Sequence, residues 1–230
     1  MQRFGIIGVV VIGAVLVAFA LIYPTLKSAG EIATVEAYPR PMANGTAMGD
    51  PNAPVTIDVF EDFQCPACVY YTEEVERRIT ETYVTTGQVY YVFHHYPFLD
   101  SRSTSKESHQ AANASMCAME QGIFWEYHDI LFANLTGENV GAYTNRRLQA
   151  FADALSLDMD AFNDCLSSNK FADRVQQDYI DGSAAGVTGT PAFVITYEVD
   201  GEPKQRFISG AYPFSEFQTQ IEDALAEIGQ

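Results

Sequence analysis

Lysine is nearly absent from this sequence. Only Lys27, Lys106, Lys170 and Lys204 occur, and 30 acidic residues against 13 lysines and arginines leave a formal net charge of −17. A chain so short of positive charge is a poor match for a nucleic-acid backbone or an anionic lipid surface. No nucleic-acid partner is expected, and the acidic excess reads as a solvated surface. No basic tract is present, and no Walker loop or G-x-G-x-x-G follows any stretch that reads as a strand, so a nucleotide site has no support. Cysteine is scarce too. Four in 230 residues are too few for a scaffold held by disulfides, so the core must carry the fold. A hydrophobic content of 47% suffices for one well-buried domain plus extras.

Two of the cysteines stand in Phe63-Gln64-Cys65-Pro66-Ala67-Cys68, directly after the apolar run Val55-Thr56-Ile57-Asp58-Val59-Phe60. A buried strand ends there and a helix begins, with both cysteines on its first turn. Pro66 has no N–H, which the first helical position can spare, and its fixed φ suits that position. Unpaired N–H groups and the positive end of the helix dipole favour a thiolate at Cys65. Cys68, one turn on, can close a disulfide with it. Thiol–disulfide exchange needs this pairing: an exposed attacking thiol of low pKa and a buried resolving partner.

Before the pair, Phe4 to Tyr23 is twenty residues without a charge. At 1.5 Å per residue it spans about 30 Å, the thickness of a bilayer core. Arg3 precedes it, which favours a cytoplasmic N-terminus and an uncleaved membrane anchor. A cleaved signal peptide is the rival reading, because Ala18-Phe19-Ala20 fits a cleavage site. Either reading exports the rest of the chain. Residues 24–50 hold Pro24, Pro39 and Pro41 with Gly30, Gly45 and Gly49 and read as a tether, within which Ile32 to Tyr38 is a candidate edge strand. The sequons at Asn44, Asn113 and Asn134 read as chance matches.

After the cysteines, Val69, Val75, Ile79 and Tyr83 share a helical face and Gly87 stops the helix. Gln88 to His95 reads as a second strand, parallel to the first through a β-α-β crossover. Residues 101–186 then read as helices only: one around Ala111 to Met119, then 124–132, 147–155, 159–166 and 171–180. The aromatic run at 124–132 reads as core packing. Strands return at Pro191 to Tyr197 and, past the Asp200-Gly201 turn, at Lys204 to Ser209. An amphipathic helix through Phe214, Phe217, Ile221, Leu225 and Ile228 closes the chain. His94, His95, His109 and His128 have no carboxylate or cysteine at ligand spacing and read as packed or surface residues. No metal and no cofactor are expected.

The stretches Asp62-Phe63-Gln64-Cys65-Pro66-Ala67-Cys68, Gln121-Gly122-Ile123-Phe124-Trp125-Glu126-Tyr127-His128-Asp129 and Gly186-Val187-Thr188-Gly189-Thr190-Pro191-Ala192-Phe193 resemble the DsbA-like branch of the thioredoxin superfamily, in particular its single-chain exported group. The resemblance covers Val55 to about Ile228. It implies an α/β thioredoxin-like fold over 51–100 and 187–230, with an all-helical insertion at 101–186. It also implies a cis-proline at Pro191, which turns the backbone of Thr190 outward to bind an extended substrate beside Cys65. Cys117 and Cys165 resemble the structural disulfide some relatives carry in the helical domain. Closing that 48-residue loop (165 − 117) is worth roughly 4 kcal/mol on a chain-entropy basis. Two free buried thiols, or a zinc site uniting these cysteines with Cys65 and Cys68, are the other readings. Pro66 makes a poor zinc knuckle.

Two departures from the family pattern stand out. Relatives commonly carry a buried acid six residues before the first cysteine, where this chain has Val59. Asp58 points to the other face by strand alternation, and Glu61 and Asp62 are the nearer substitutes, neither assignable. Ala67 stands where strongly oxidising relatives have histidine, so a milder oxidant is expected.

The resemblance implies a protein-disulfide oxidoreductase acting through Cys65 and Cys68, supported by Pro66 and Ala67, with Thr190 and Pro191 binding substrate. Its clients would be exported proteins with cysteine thiols, and its re-oxidant a membrane quinone-linked partner. A reductase or isomerase, or a peptide-binding chaperone without redox turnover, are the competing expectations.

Overall fold

The structure is a computed structural model and describes residues 32–229. Every element below lies in the unit that begins at Thr34. The apolar run 4–23 lies outside the described residues. Among the described residues, no helix is long and apolar enough to cross a membrane.

The central strand is β2 (Val55–Glu61), which buries Val55, Ile57 and Val59 on one face and leaves Thr56 and Asp58 half-buried on the other. Strand β3 (Val89–His95) runs parallel to it, in register from Val55 against Val89 to Glu61 against His95. On the other side, β4 (Ala192–Val199) is antiparallel to β2, and β5 (Glu202–Ser209) is antiparallel to β4. Asp200 and Gly201 join them with φ of 52° and 82°, the paired positive values a tight two-residue hairpin turn requires. A two-residue strand β1 (Ala47–Met48) pairs antiparallel with β3, and the sheet order is β1-β3-β2-β4-β5.

The edge strand therefore forms at Ala47–Met48 and not within Ile32 to Tyr38. Ala47 and Met48 are apolar and become buried against β3, which offsets the cost of ordering them, whereas residues 33–37 are exposed.

Helix α1 (residues 66–84) connects β2 to β3. Its α-helical turns, Pro66–Tyr71 and Arg77–Ile79, alternate with π-helical turns, Thr72–Glu76 and Thr80–Val84. A π turn inserts a residue and resets which side chains face inward. Here both Val75 and Glu76, and both Ile79 and Thr80, become buried. Beyond β3 the insertion is all helical: α2 (Glu107–Met119), α3 (Phe124–Ala133), α4 (Asn145–Ala154), α5 (Met159–Ser167) and α6 (Ala172–Ala184). Helix α7 (Phe214–Glu227) ends the fold.

Helices α1 and α7 cover one face of the sheet, where the rings of Tyr71, Phe193 and Phe217 lie 4.6 to 5.4 Å apart. The aromatic run of α3 is core: Phe124, Trp125 and His128 pack edge-on against Phe93 of β3. Helix α6 covers the other face, over Phe60, Tyr96, Val187, Ala192 and Val194. It comes this close because residue 182 is glycine: a Cβ there would lie 2.8 Å from the Phe60 ring and 2.9 Å from that of Tyr96. A disulfide between Cys117 and Cys165 ties α2 to α5.

Candidate active site

The turn that delivers Cys65 is held at each residue. Asp62 accepts hydrogen bonds from the backbone N–H of Gln64 at 2.9 Å and of Leu99 at 3.0 Å. The Cys65 N–H returns to the Asp62 carbonyl at 2.9 Å. The insertion grips the same turn: the Tyr143 hydroxyl lies 2.8 Å from the Phe63 carbonyl oxygen, Gln64 donates to Ser108 Oγ at 2.8 Å, and the Asn139 N–H donates to Gln64 Oε1 at 2.6 Å. Fully satisfied buried polar contacts of this kind fix geometry rather than add much net stability.

Cys65 then occupies the N-cap of α1 with φ −83° and ψ 117°, and Pro66 is the first helical residue. No polar side chain competes for the N-terminal N–H groups. They are available to the Cys65 sulfur. Its pKa is lowered to about 6, chiefly by a hydrogen bond from the Cys68 thiol, with further help from Thr190 and the backbone N–H groups of Cys68 and Ala67, and against the cost of burial. Cys68 is fully buried, and its pKa is pushed well above the ordinary thiol value by burial, by Cys65 and by Glu61. The two sulfurs are thus strongly inequivalent. Cys65 is less open than an exposed attacking thiol would be, with 6% of its surface accessible. The loop holding Thr190 and Pro191 accounts for part of this cover.

The Thr190–Pro191 peptide bond is cis. Cys65 Sγ lies 3.4 Å from the Thr190 carbonyl oxygen, so the thiol donates to it. Thr190 is half-buried, Pro191 is buried, and the Pro191 carbonyl accepts from the Gly210 N–H at 2.8 Å.

Val59 leaves the inner face of β2 without an acid, and Glu61, two residues on, points to that same face. It is 1% exposed. Its pKa is raised well above the usual carboxylate range by burial and by Glu76, while the adjacent Cys68 thiol opposes the rise. Asp62 is also raised, to about 7, by burial working against its backbone hydrogen bonds. Both Asp62 oxygens are committed to the turn, whereas neither Glu61 oxygen makes a hydrogen bond of normal geometry. Of the two acids, Glu61 is the one whose oxygens the turn leaves uncommitted. The strand's two-residue period was the signal for it. Asp58 faces the other side, where it pairs with His94 at 2.8 Å. Burial disfavours charge on His94, but Asp178 and Asp58 outweigh it and raise its pKa to about 9.

Sequence spacing did not bring together the residues behind Glu61. Glu76 and His128 sit there, both fully buried. Arg40 reaches in with a bidentate pair to Asp129 (2.7 and 2.9 Å) and a bond to Glu76 at 3.0 Å, and the Tyr38 hydroxyl donates to the same Glu76 oxygen. His95 lies nearby, its pKa lowered to about 4 by burial.

The sequence model of the family described as Thioredoxin matches residues 42–223, most of the chain. The chain belongs to the thioredoxin family. Among solved thioredoxin-family structures, α-DsbA1 of Wolbachia pipientis superposes with a TM-score of 0.69 at 25% identity, covering 82% of this chain and 94% of that one. BdbD of Bacillus subtilis superposes with a TM-score of 0.67 at 22% identity over 84% of this chain and all (100%) of that one, a likeness of fold. By sequence, a probable disulfide bond formation protein D of Bacillus anthracis is 25% identical over 151 residues, 65% of this chain and 68% of that protein. The Na+/H+ antiporter NhaA 3 of Salinispora tropica is 34% identical over 147 residues, 64% of this chain. The match spans only 21% of that antiporter's length.

Proposed function

We propose that this chain is an exported thiol:disulfide oxidoreductase that introduces disulfides into secreted or cell-envelope proteins through Cys65 and Cys68. The inequality of the two sulfurs carries this reading. Exchange runs through the sulfur that best bears negative charge and best reaches solvent, and Cys65 is favoured on both counts.

In the disulfide form, a client thiolate attacks the Cys65 sulfur. The Cys65–Cys68 bond breaks, a client–Cys65 bond forms, and Cys68 leaves and takes up a proton, for which Glu61 is the nearest acid. The Thr190 and Pro191 backbone holds the client segment alongside and does no covalent chemistry. A second client thiolate then attacks the client sulfur of the mixed disulfide and releases Cys65 as a thiolate. The client has lost two electrons and two protons, and the cysteine pair has gained the electrons. Pro66 and Ala67 keep the helix N-terminus open beneath the sulfur. Re-oxidation calls for a membrane quinone-linked partner, and an anchor at residues 4–23 would hold the domain beside it.

The test is oxidation of a reduced two-cysteine peptide by the full chain, with the Cys65–Cys68 couple titrated against glutathione. Cys65→Ser abolishes turnover and Cys68→Ser accumulates mixed disulfides. Full oxidase activity in Cys65→Ser would sink the assignment, and a couple as reducing as a thioredoxin, near −270 mV, would reverse its direction.

A further inference from the structure

Behind the cysteine pair, one ligand atom from each of Glu61, Glu76 and His128 lies within 4.8 Å of the others, and all three side chains are buried. Two of them are pinned by their other end. His128 Nδ1 lies 2.9 Å from Asp129 Oδ1. Asp129 also takes the bidentate pair from Arg40, at 2.7 and 2.9 Å. As a carboxylate it can only accept, so Nδ1 is the donor. Glu76 Oε1 takes the bonds from Tyr38 and Arg40.

What remains faces inward. His128 Nε2, Glu76 Oε2 and both Glu61 oxygens make no hydrogen bond among the described residues. Nε2 and Glu76 Oε2 are 3.7 Å apart, too long for a hydrogen bond between them. With Nδ1 donating to Asp129, Nε2 is the ring nitrogen left to bind a cation, beside Glu76 Oε2 and the Glu61 oxygens. Once Glu61 gives up its proton, Glu61, Glu76 and Asp129 set three carboxylates against the single guanidinium of Arg40. Two negative charges are left over, which a divalent cation would balance. Burying such a set without compensation is costly.

We propose that Glu61, Glu76 and His128 form a binding site for one divalent cation of the zinc class. Imidazole nitrogen with carboxylate oxygen suits zinc, whose bonds of about 2.0–2.2 Å set tetrahedral ligands roughly 3.3–3.6 Å apart. The 3.7 Å pair is already close to that spacing. Asp129 behind His128 is the carboxylate–histidine support that orients an imidazole ligand and strengthens its donor. A carboxylate that ligates a cation has lost its proton, so loading and proton delivery from Glu61 to Cys68 are alternative states of one residue. The site itself stands independently of the thiol chemistry.

The experiment uses the full chain, stripped with a chelator and oxidised so that Cys65 and Cys68 are closed and no thiol can ligate. Equilibration with zinc is expected to leave one equivalent bound by elemental analysis and to raise the thermal unfolding midpoint. Glu76→Gln and His128→Gln should each weaken zinc binding by roughly 10-fold or more. Both positions are buried, so cobalt loading of the unsubstituted chain gives a readout that needs no variant. An intense visible band of a four-coordinate nitrogen–oxygen site, displaced by zinc, supports the proposal. No stoichiometric zinc, no such cobalt band, or unchanged zinc affinity in a folded His128→Gln overturns it.

Discussion

Cys65 Sγ donates to the carbonyl oxygen of Thr190 at 3.4 Å, across 125 positions of sequence. In the proposed mechanism, the acceptor that steadies the protonated thiol is also the carbonyl with which an extended client would pair. In the disulfide and in the mixed disulfide Cys65 has no S–H, so in both forms that carbonyl is left for the client. On that mechanism, client binding and the redox state of Cys65 would be coupled through a single oxygen atom.

The thiolate absorbance of the reduced chain at 240 nm should titrate with a midpoint of about 6, the value to which Cys65 is lowered. Cys68→Ala removes the largest cause of that lowering and should move the midpoint up toward an ordinary thiol. A midpoint unmoved in Cys68→Ala would assign the effect to the helix end and Thr190 instead.

The same lowering makes stability depend on redox state. In the reduced fold Cys65 ionises near pH 6 instead of 9. Below pH 6 the thiol is protonated in both folded and unfolded chains and contributes nothing. Between pH 6 and 9 only the folded chain carries the thiolate, so stability grows with pH and is lost again as pH falls. The gain is on the order of 3–4 kcal/mol. Asp62 and His95 titrate in both redox forms and largely cancel when reduced and oxidised chains are compared, whereas Cys68, whose pKa is pushed up, takes stability from the reduced form alone as pH nears and passes 9. Denaturant unfolding of both forms at pH 5.5, 7 and 8 should show the reduced form gaining on the oxidised one as pH rises.

Glu61→Gln keeps the shape of the buried side chain and removes its exchangeable acid proton. The Cys65 thiolate should still titrate near its wild-type midpoint, while the step in which Cys68 leaves or attacks slows by roughly 10²-fold, the scale of a lost general acid. Stopped-flow fluorescence with a reduced peptide separates the two. An unchanged rate would show that Cys68 draws its proton from elsewhere.

Removing the Cys117–Cys165 disulfide opens a loop with a sequence separation of 48. The double substitution to alanine should cost roughly 4 kcal/mol and lower the unfolding midpoint by about 8–16 °C for a domain of this size. Turnover per folded molecule should not change, because α2 and α5 contribute no atom to the sulfur pair. A loss of turnover without a loss of stability would contradict this.

Much of the fold was legible because its rules are local. The apolar period of β2, the proline at the start of α1, the Asp200-Gly201 turn and the amphipathic α7 each act over a few residues. The edge strand was misplaced because nothing local distinguishes residues 47–48 from 32–38. Only the unpaired edge of β3 selects between them.

The site divides along the same line. Sequence alone determined that Cys65 would sit on a helix N-terminus with Cys68 one turn behind it, since that relation lies within four residues and follows from backbone geometry. The choice of Glu61 over Asp62 was decided by which carboxylate the turn had already consumed. The meeting of Glu61 with Glu76 and His128 was decided further out still, by the π turn in α1 and the docking of α3. Local pattern carries no information about which buried polar groups will share a hollow. That follows only once the crossover and the insertion have packed against the same face of the sheet.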